Sequence, residues 1–279
     1  MYVLRRSALT AALAALLSLS SATPAAPAAG AHGPGKGLGH HRPAGSTCAR
    51  ESVPLLFCED FESRRPGSAG GGRWTADTER GTLTVKPHPP GGPGGRYLRI
   101  RTEGNGRAFL VAGGLRPPGN SFWGRARLRV AAFPTAPDWA HWTMVEATGR
   151  GPGLIRPLGG QYVPPAGRNL WGVGSDGGPT GDWTAWRESA PARAGTWICA
   201  EWRMDASDNR IEVWFDGEAQ PDLTVDTRHH DGADVDFVFP EFDTVKFGWQ
   251  LYQGNPAPSR YDVGLDDLAL STERVGCGG

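Results

Sequence analysis

Several features that would assign a chain to a large functional class are scarce here. Only three lysines occur in 279 residues, Lys36, Lys86 and Lys246, so the positive charges are nearly all arginine. Nor is there a basic excess, because 29 basic residues face 29 acidic ones. Residues 1–47 hold four of the basic groups and no acidic group, which leaves 25 basic against 29 acidic groups in the rest. A mildly acidic surface of this kind does not attract nucleic acid or anionic membranes, and neither is expected as a partner. Beyond the N-terminus no apolar run is long enough for a membrane anchor. No segment keeps a helical period over ten or more residues, and neither an internal repeat nor a second domain is visible. The four cysteines have no CxxC spacing, which argues against zinc.

What is present begins with an export signal. Arg5-Arg6, the apolar run over residues 8–19 and the small residues Ser20-Ser21-Ala22 make a charged start, a hydrophobic segment too short to span a bilayer, and a cleavage site. Leu4-Arg5-Arg6-Ser7 lacks most of the twin-arginine motif, so ordinary secretion is expected for residues 1–22. Residues 23–47 are mostly Pro, Ala, Gly and His without apolar periodicity and read as a disordered leader. There His32, His40 and His41 fit a solvated tail better than a loose metal site. Residues 48–279 are long enough for one large domain with its own core, expected to be an extracellular monomer. Cys48, Cys58, Cys199 and Cys277 in an exported chain imply two disulfides, with three possible pairings. The favoured one joins Cys48 to Cys58 across a short N-terminal loop and Cys199 to Cys277, tying the last residues to a long hairpin.

That hairpin covers residues 196–217. Ile198, Ala200, Trp202 and Met204 alternate with polar neighbours, residues 205–209 form a polar turn, and Ile211, Val213 and Phe215 alternate again up to Asp216-Gly217. Period-two alternation broken by Asp, Asn and Gly predicts an antiparallel hairpin with one buried face. Further strand-like runs are expected at 53–61, 82–87, 96–102, 108–113, 121–133, 141–147, 170–174, 183–188, 244–252 and 261–270, with Gly and Pro between them. Alternation puts Phe122, Ala126, Leu128 and Val130 on one face and Trp123, Arg125, Arg127 and Arg129 on the other. Likewise Val245, Phe247, Trp249 and Leu251 point inward while Lys246, Gln250 and Tyr252 point outward. The pattern predicts an all-β sandwich or jelly roll.

A series of short motifs carries a family resemblance. Phe57-Cys58-Glu59-Asp60-Phe61-Glu62, Phe122-Trp123-Gly124-Arg125, His141-Trp142-Thr143-Met144-Val145-Glu146, Gly159-Gly160-Gln161, Trp197-Ile198-Cys199-Ala200-Glu201-Trp202, Trp214-Phe215-Asp216-Gly217, Phe247-Gly248-Trp249 and Leu265-Asp266-Asp267-Leu268 occur in this order. Together they resemble the cellulose-induced protein "Cip-one" family over residues 53–277. The resemblance implies a concanavalin A-like β-jelly roll, two curved antiparallel sheets with a concave cleft. It also implies similarity to polysaccharide lyases that act on acidic glycans, and a structural calcium ion bridging the two ends of the chain. Glu62, Asp266 and Asp267 are the residues expected at that metal.

Cleavage of a uronic-acid polymer by β-elimination needs a group to neutralise the carboxylate, a base for the C5 proton and an acid for the leaving oxygen. Arg125 or Gln161 is the expected neutralising group, His141 the base and Tyr252 the acid, with Arg127 and Gln250 as substrate contacts. The alginate-lyase pattern of Gln-x-His with Tyr-x-Lys is absent, since Tyr162-Val163 follow Gln161. The acidic run of a retaining glucanase is absent too, which makes hydrolysis the weaker enzyme reading. Trp171, Trp183 and Trp186 lie in or beside Gly-rich stretches, where an indole can stack on a sugar ring or plug the end of the sandwich. The sequence thus predicts a secreted protein that cleaves an extracellular acidic polysaccharide; non-catalytic glycan binding or adhesion on the same fold is the alternative.

Overall fold

In the β9–β10 hairpin, β9 (Ile198–Asp205) and β10 (Arg210–Phe215) pair with Trp202 opposite Val213 and Met204 opposite Ile211. These four side chains are at most 1% exposed. The Asp205 carboxylate accepts hydrogen bonds from the Ser207 amide and hydroxyl, and Asn209 takes the left-handed conformation at φ 53°, which short polar side chains tolerate. Asp216 and Gly217, both at positive φ, make the two-residue turn into β11 (Glu218–Ala219) that a type I′ hairpin requires.

The computed structural model describes residues 46–278 apart from 69, 90–94, 136, 152, 178–182, 231–235 and 253–256. The export segment and the leader up to residue 45, with His32, His40 and His41, lie outside the described residues. A four-residue helical turn, α1 (Thr47–Arg50), precedes β1 (Leu55–Glu59). Then come β2 (Thr75–Pro87), β3 (Arg96–Gly113), β4 (Phe122–Val130), β5 (Ala140–Arg150), β6 (Leu154–Val163), β7 (Arg168–Asp176) and β8 (Trp183–Pro191). After β9, β10 and β11, the chain closes with β12 (Glu241–Leu251) and β13 (Arg260–Ser271).

All the pairings are antiparallel, in the order β11-β10-β9-β4-β13-β3-β12-β5-β6-β7-β8, with β1 on β13 and β2 on β3. The sheet curls at β3, whose residues 98–103 pair with β13 and whose residues 107–113 pair with β12. The two arms so formed face one another. Trp202 on β9 meets Phe247 on β12 with ring centroids 6.0 Å apart, and Trp171 on β7 meets Phe215 on β10 at 5.1 Å. Phe122 on β4 packs edge-on against Phe242 on β12. The result is the expected all-β jelly roll, with Val245, Phe247, Trp249 and Leu251 buried as alternation predicts.

The runs expected at 96–102 and 108–113 are halves of one bent strand. Two strands are new: the two-residue β11, and β6, which lies across a stretch with Pro157 and Gly159-Gly160 where no strand is expected. Pro157 is tolerated because register shifts on both sides of β6 remove the ladder hydrogen bond it cannot donate. Cys48 is bonded to Cys58 and Cys199 to Cys277, the favoured pairing. No helix among the described residues is long and apolar enough to cross a membrane.

Candidate functional site

The outward face of the arm made by β3, β12, β5, β6 and β7 gathers most of the predicted chemistry. His141 on β5 stands opposite Gln161 on β6, and Gln250 on β12 opposite Thr143 on β5. The amide of Tyr252 donates to the His141 carbonyl at 2.8 Å, which fixes the end of β12 beside the start of β5. A small depression of about 10 Å³ on this face is lined by His141, Thr143, Arg156, Gly159, Gly172 and Gly174. In register, Thr143 faces Gly159, Gly159 faces Gly172 and Arg156 faces Gly174, so three strands meet at a backbone floor that no side chain fills. The neighbouring Gly160 is glycine for a packing reason: a Cβ there would lie 2.1 Å from the Leu170 carbonyl oxygen and 2.6 Å from the Trp142 ring.

Charge on this face is paired across strands. Lys246 Nζ lies 3.1 Å from Asp77 and 3.3 Å from the buried Glu146, and Arg107 Nε bonds Asp77 at 3.0 Å. The Tyr252 hydroxyl lies 3.2 Å from Gln250 Oε1 and 3.5 Å from Glu146 Oε1. Burial, and next the negative charge of Glu146, push the Tyr252 phenol up to about 12. Burial alone would raise the Asp77 carboxyl as well. The hydrogen bonds and charges of Arg107 and Lys246 outweigh it and hold Asp77 below the usual carboxylate range. Arg156 donates to the Ser175 carbonyl at 2.9 Å at the edge of the depression. Gln161 is only 2% exposed, and its Oε1 has no partner among the described residues.

Arg125 and Arg127 are not on this face. They extend from β4 in the other arm, where Glu51, Asp267, Gly276 and Cys277 cover them. Arg125 pairs with Glu51 at 2.7 Å and donates to the carbonyls of Asp267 and Gly276; Arg127 pairs with Asp267 and donates to the Cys277 carbonyl. They are therefore staples for the termini, away from His141, Gln161, Gln250 and Tyr252. Trp171 is 4% exposed and packs edge-on against Trp142 at 5.0 Å, so it is core filler and not a sugar platform. Trp183 and Trp186 fall on β8, opposite Ser175 and Gly172, and not in loops; their side chains lie outside the described residues. Arg156 and Glu146, which also stand on this face, were not among the expected residues. Arg156 sits on the unrecognised β6, and Glu146 carried no signal beyond its place in a motif.

β1 and β13 do lie side by side, so the expected metal region exists as a place in the fold. Its carboxylates are otherwise engaged. Glu62 accepts from the Arg96 amide at 2.8 Å, Asp267 pairs with Arg127 and accepts from the Thr47 hydroxyl at 2.5 Å, and Asp266 meets His88 Nε2 at 2.9 Å. Burial pushes the Asp266 carboxyl up to about 7, against the opposing hydrogen bond from His88. Among the described residues no three His, Cys, Asp or Glu side chains converge as a metal-holding group.

Residues 179–273 match the model of a polysaccharide lyase-like family described as Cip1-like, core domain. The solved structure of the cellulose induced protein Cip1 is 21% identical, with a TM-score of 0.54, and the match covers 80% of this chain and 100% of that one. The fold is Cip1-like. An endo-beta-1,4-glucuronan lyase from the fungus Trichoderma reesei also matches, at 14% identity and a TM-score of 0.47, over 78% of this chain and 96% of its own. No curated protein matches the sequence. The structural match supports the fold, and the family match over residues 179–273 covers the motifs from Trp197 to Leu268.

Proposed function

We propose that this is a secreted polysaccharide lyase-like protein that takes an acidic glycan across the His141 face and cleaves it by β-elimination. The observation that carries the reading is the meeting of Tyr252 with His141, the Tyr252 amide donating to the His141 carbonyl at 2.8 Å, on the face that also carries Arg156 and the glycine-floored depression. In this reaction His141 removes the C5 proton of a uronate ring, the electron pair forms the C4–C5 double bond, and the C4–O bond breaks. The leaving oxygen takes its proton from Tyr252. Arg156, in place of Arg125, neutralises the uronate carboxylate as negative charge spreads into it. Gln161, the register partner of His141 on β6, is left with a buried side-chain oxygen free to accept a hydrogen bond beside it.

The test is to incubate the mature protein with glucuronan, alginate and pectate and follow the absorbance of the unsaturated product. Product formation that is lost in His141→Ala supports the reading. Glycan binding without product overturns cleavage and leaves a binding protein on the same face. Calcium, implied by the family resemblance, would need Asp266 and Asp267 to be released from His88 and Arg127. A Tm several degrees lower after chelation would support a bound ion, and an unchanged Tm would overturn it. An extracellular monomer is the expected form, checked by secretion of the full chain and by light scattering.

A further inference from the structure

The His141 face offers a glycan little enclosure. Its depression measures about 10 Å³, whereas a pocket that surrounds a small ligand measures about 300 Å³ or more. A sugar chain on so open a face gains most of its binding from flat contact, which an aromatic ring supplies best. Trp171 cannot supply it, because it is buried in the core. Among the described residues only two large hydrophobic side chains are left exposed, Trp139 at 39% and Val238 at 52%. Trp139 directly precedes β5 and stands two positions before His141. Ala140 and Trp142, each 1% exposed, point into the core, so alternation turns Trp139 to the side on which His141 stands. Two residues of extended chain span roughly 7 Å, so a ring resting on Trp139 is the neighbour of a ring at His141.

A single exposed apolar residue is ordinary on any protein surface. What sets Trp139 apart, besides its place, is how firmly the segment carrying it is held. Phe133 is buried against Trp142 with ring centroids 4.8 Å apart. The Pro134 carbonyl accepts from Asn169 Nδ2 at 2.7 Å, and Asn169 Oδ1 in turn accepts from Trp142 Nε1 at 3.0 Å. The Thr135 amide donates to the Ala257 carbonyl at 2.8 Å, which ties the segment to the chain ahead of β13. On the other side of Trp139, Ala140 enters the ladder opposite Tyr162. Anchors on both sides mean that little backbone freedom is lost when a ligand covers the indole, while covering its apolar surface is favourable. A rigid element is also the better place for a contact that must meet a ligand at a fixed position.

We propose that Trp139 is a stacking platform for one pyranose ring of the glycan, next to the ring that His141 engages. The inference rests on the reading that a glycan crosses the His141 face, and not on its cleavage there. Calorimetry of the mature protein with oligosaccharides of glucuronan, alginate and pectate tests it, beside the absorbance assay for unsaturated product. Trp139→Ala should weaken binding about tenfold, the size of effect expected from losing one aromatic contact. Trp139→Tyr, which keeps a flat ring, should retain most of the affinity. Both variants should keep a Tm close to that of the parent, since the indole is exposed and fills no core space. Where product forms, the loss in Trp139→Ala should appear in KM more than in kcat, because the ring touches the substrate away from the bonds that change. Binding without product that Trp139→Ala weakens supports the platform and overturns only the cleavage. Affinity unchanged in Trp139→Ala overturns the platform and leaves the His141 reading standing. An equal loss in Trp139→Ala and Trp139→Tyr, a fall in kcat alone, or no binding of any of the three glycans also overturns it.

Discussion

At the level of single side chains, tryptophan is hard to place from local sequence, because an indole serves equally well as core filler and as a platform for a sugar ring. Trp171 lies between glycine-rich stretches, yet Trp142, Phe133 and Phe215 enclose it. Trp171→Ala should therefore cost about 3–5 kcal/mol of stability in a denaturant titration, with binding affected only through folding. Tyr252 is the opposite case. Its hydroxyl lies 3.2 and 3.5 Å from Gln250 and Glu146 and also hydrogen-bonds Thr143, so Tyr252→Phe removes a proton donor and little packing. If Tyr252 is the acid, product formation should fall by about 10²–10⁴ with the Tm within a degree or two of the parent. An unchanged rate would remove Tyr252 from the mechanism.

At the level of strands, β4 shows why an outward face is not yet a binding face. Alternation correctly separates Phe122, Ala126, Leu128 and Val130 from the arginines. It does not register that residues near both chain ends, Glu51, Asp267, Gly276 and Cys277, lie over those arginines. Arg125→Met would leave the Glu51 carboxylate, 15% exposed, without its cation, and a loss of about 3 kcal/mol is expected by thermal or chemical unfolding. The same end is tied by Cys199–Cys277, which closes a loop of 78 residues. Replacing both cysteines by serine should cost about 4–5 kcal/mol on the chain-entropy estimate, and a Tm unchanged in the double variant would show that the tail is held without it. β6 teaches the complementary lesson. A strand with Pro157 and paired glycines has no alternation to read, and only its neighbours β5 and β7 make it a strand.

At the level of the whole molecule, the curled sheet brings charges together that are far apart in the chain. Asp77 on β2 is held below the usual carboxylate range by Arg107 on β3 and Lys246 on β12. A depressed carboxylate adds stability above its unfolded value, about 3.9, and that contribution is lost as pH falls through the lower folded value. Asp77→Asn should therefore be less stable than the parent at neutral pH and should lose less stability between about pH 4 and pH 2. Parallel curves for the two proteins in acid unfolding would contradict the pairing.

The chain's own pattern determined the strands with clean alternation, the two disulfides and the order of motifs that suggested a Cip1-like jelly roll. Each of these is a property of neighbours along the chain or of spacing. The tertiary structure decided which outward face is open and which is covered, because that depends on where the ends of the chain lie. It placed Gln161 beside His141 through a strand the sequence hides, set Arg125 and Arg127 against Glu51, Asp267 and the C-terminal residues, and brought Arg156 to the His141 face.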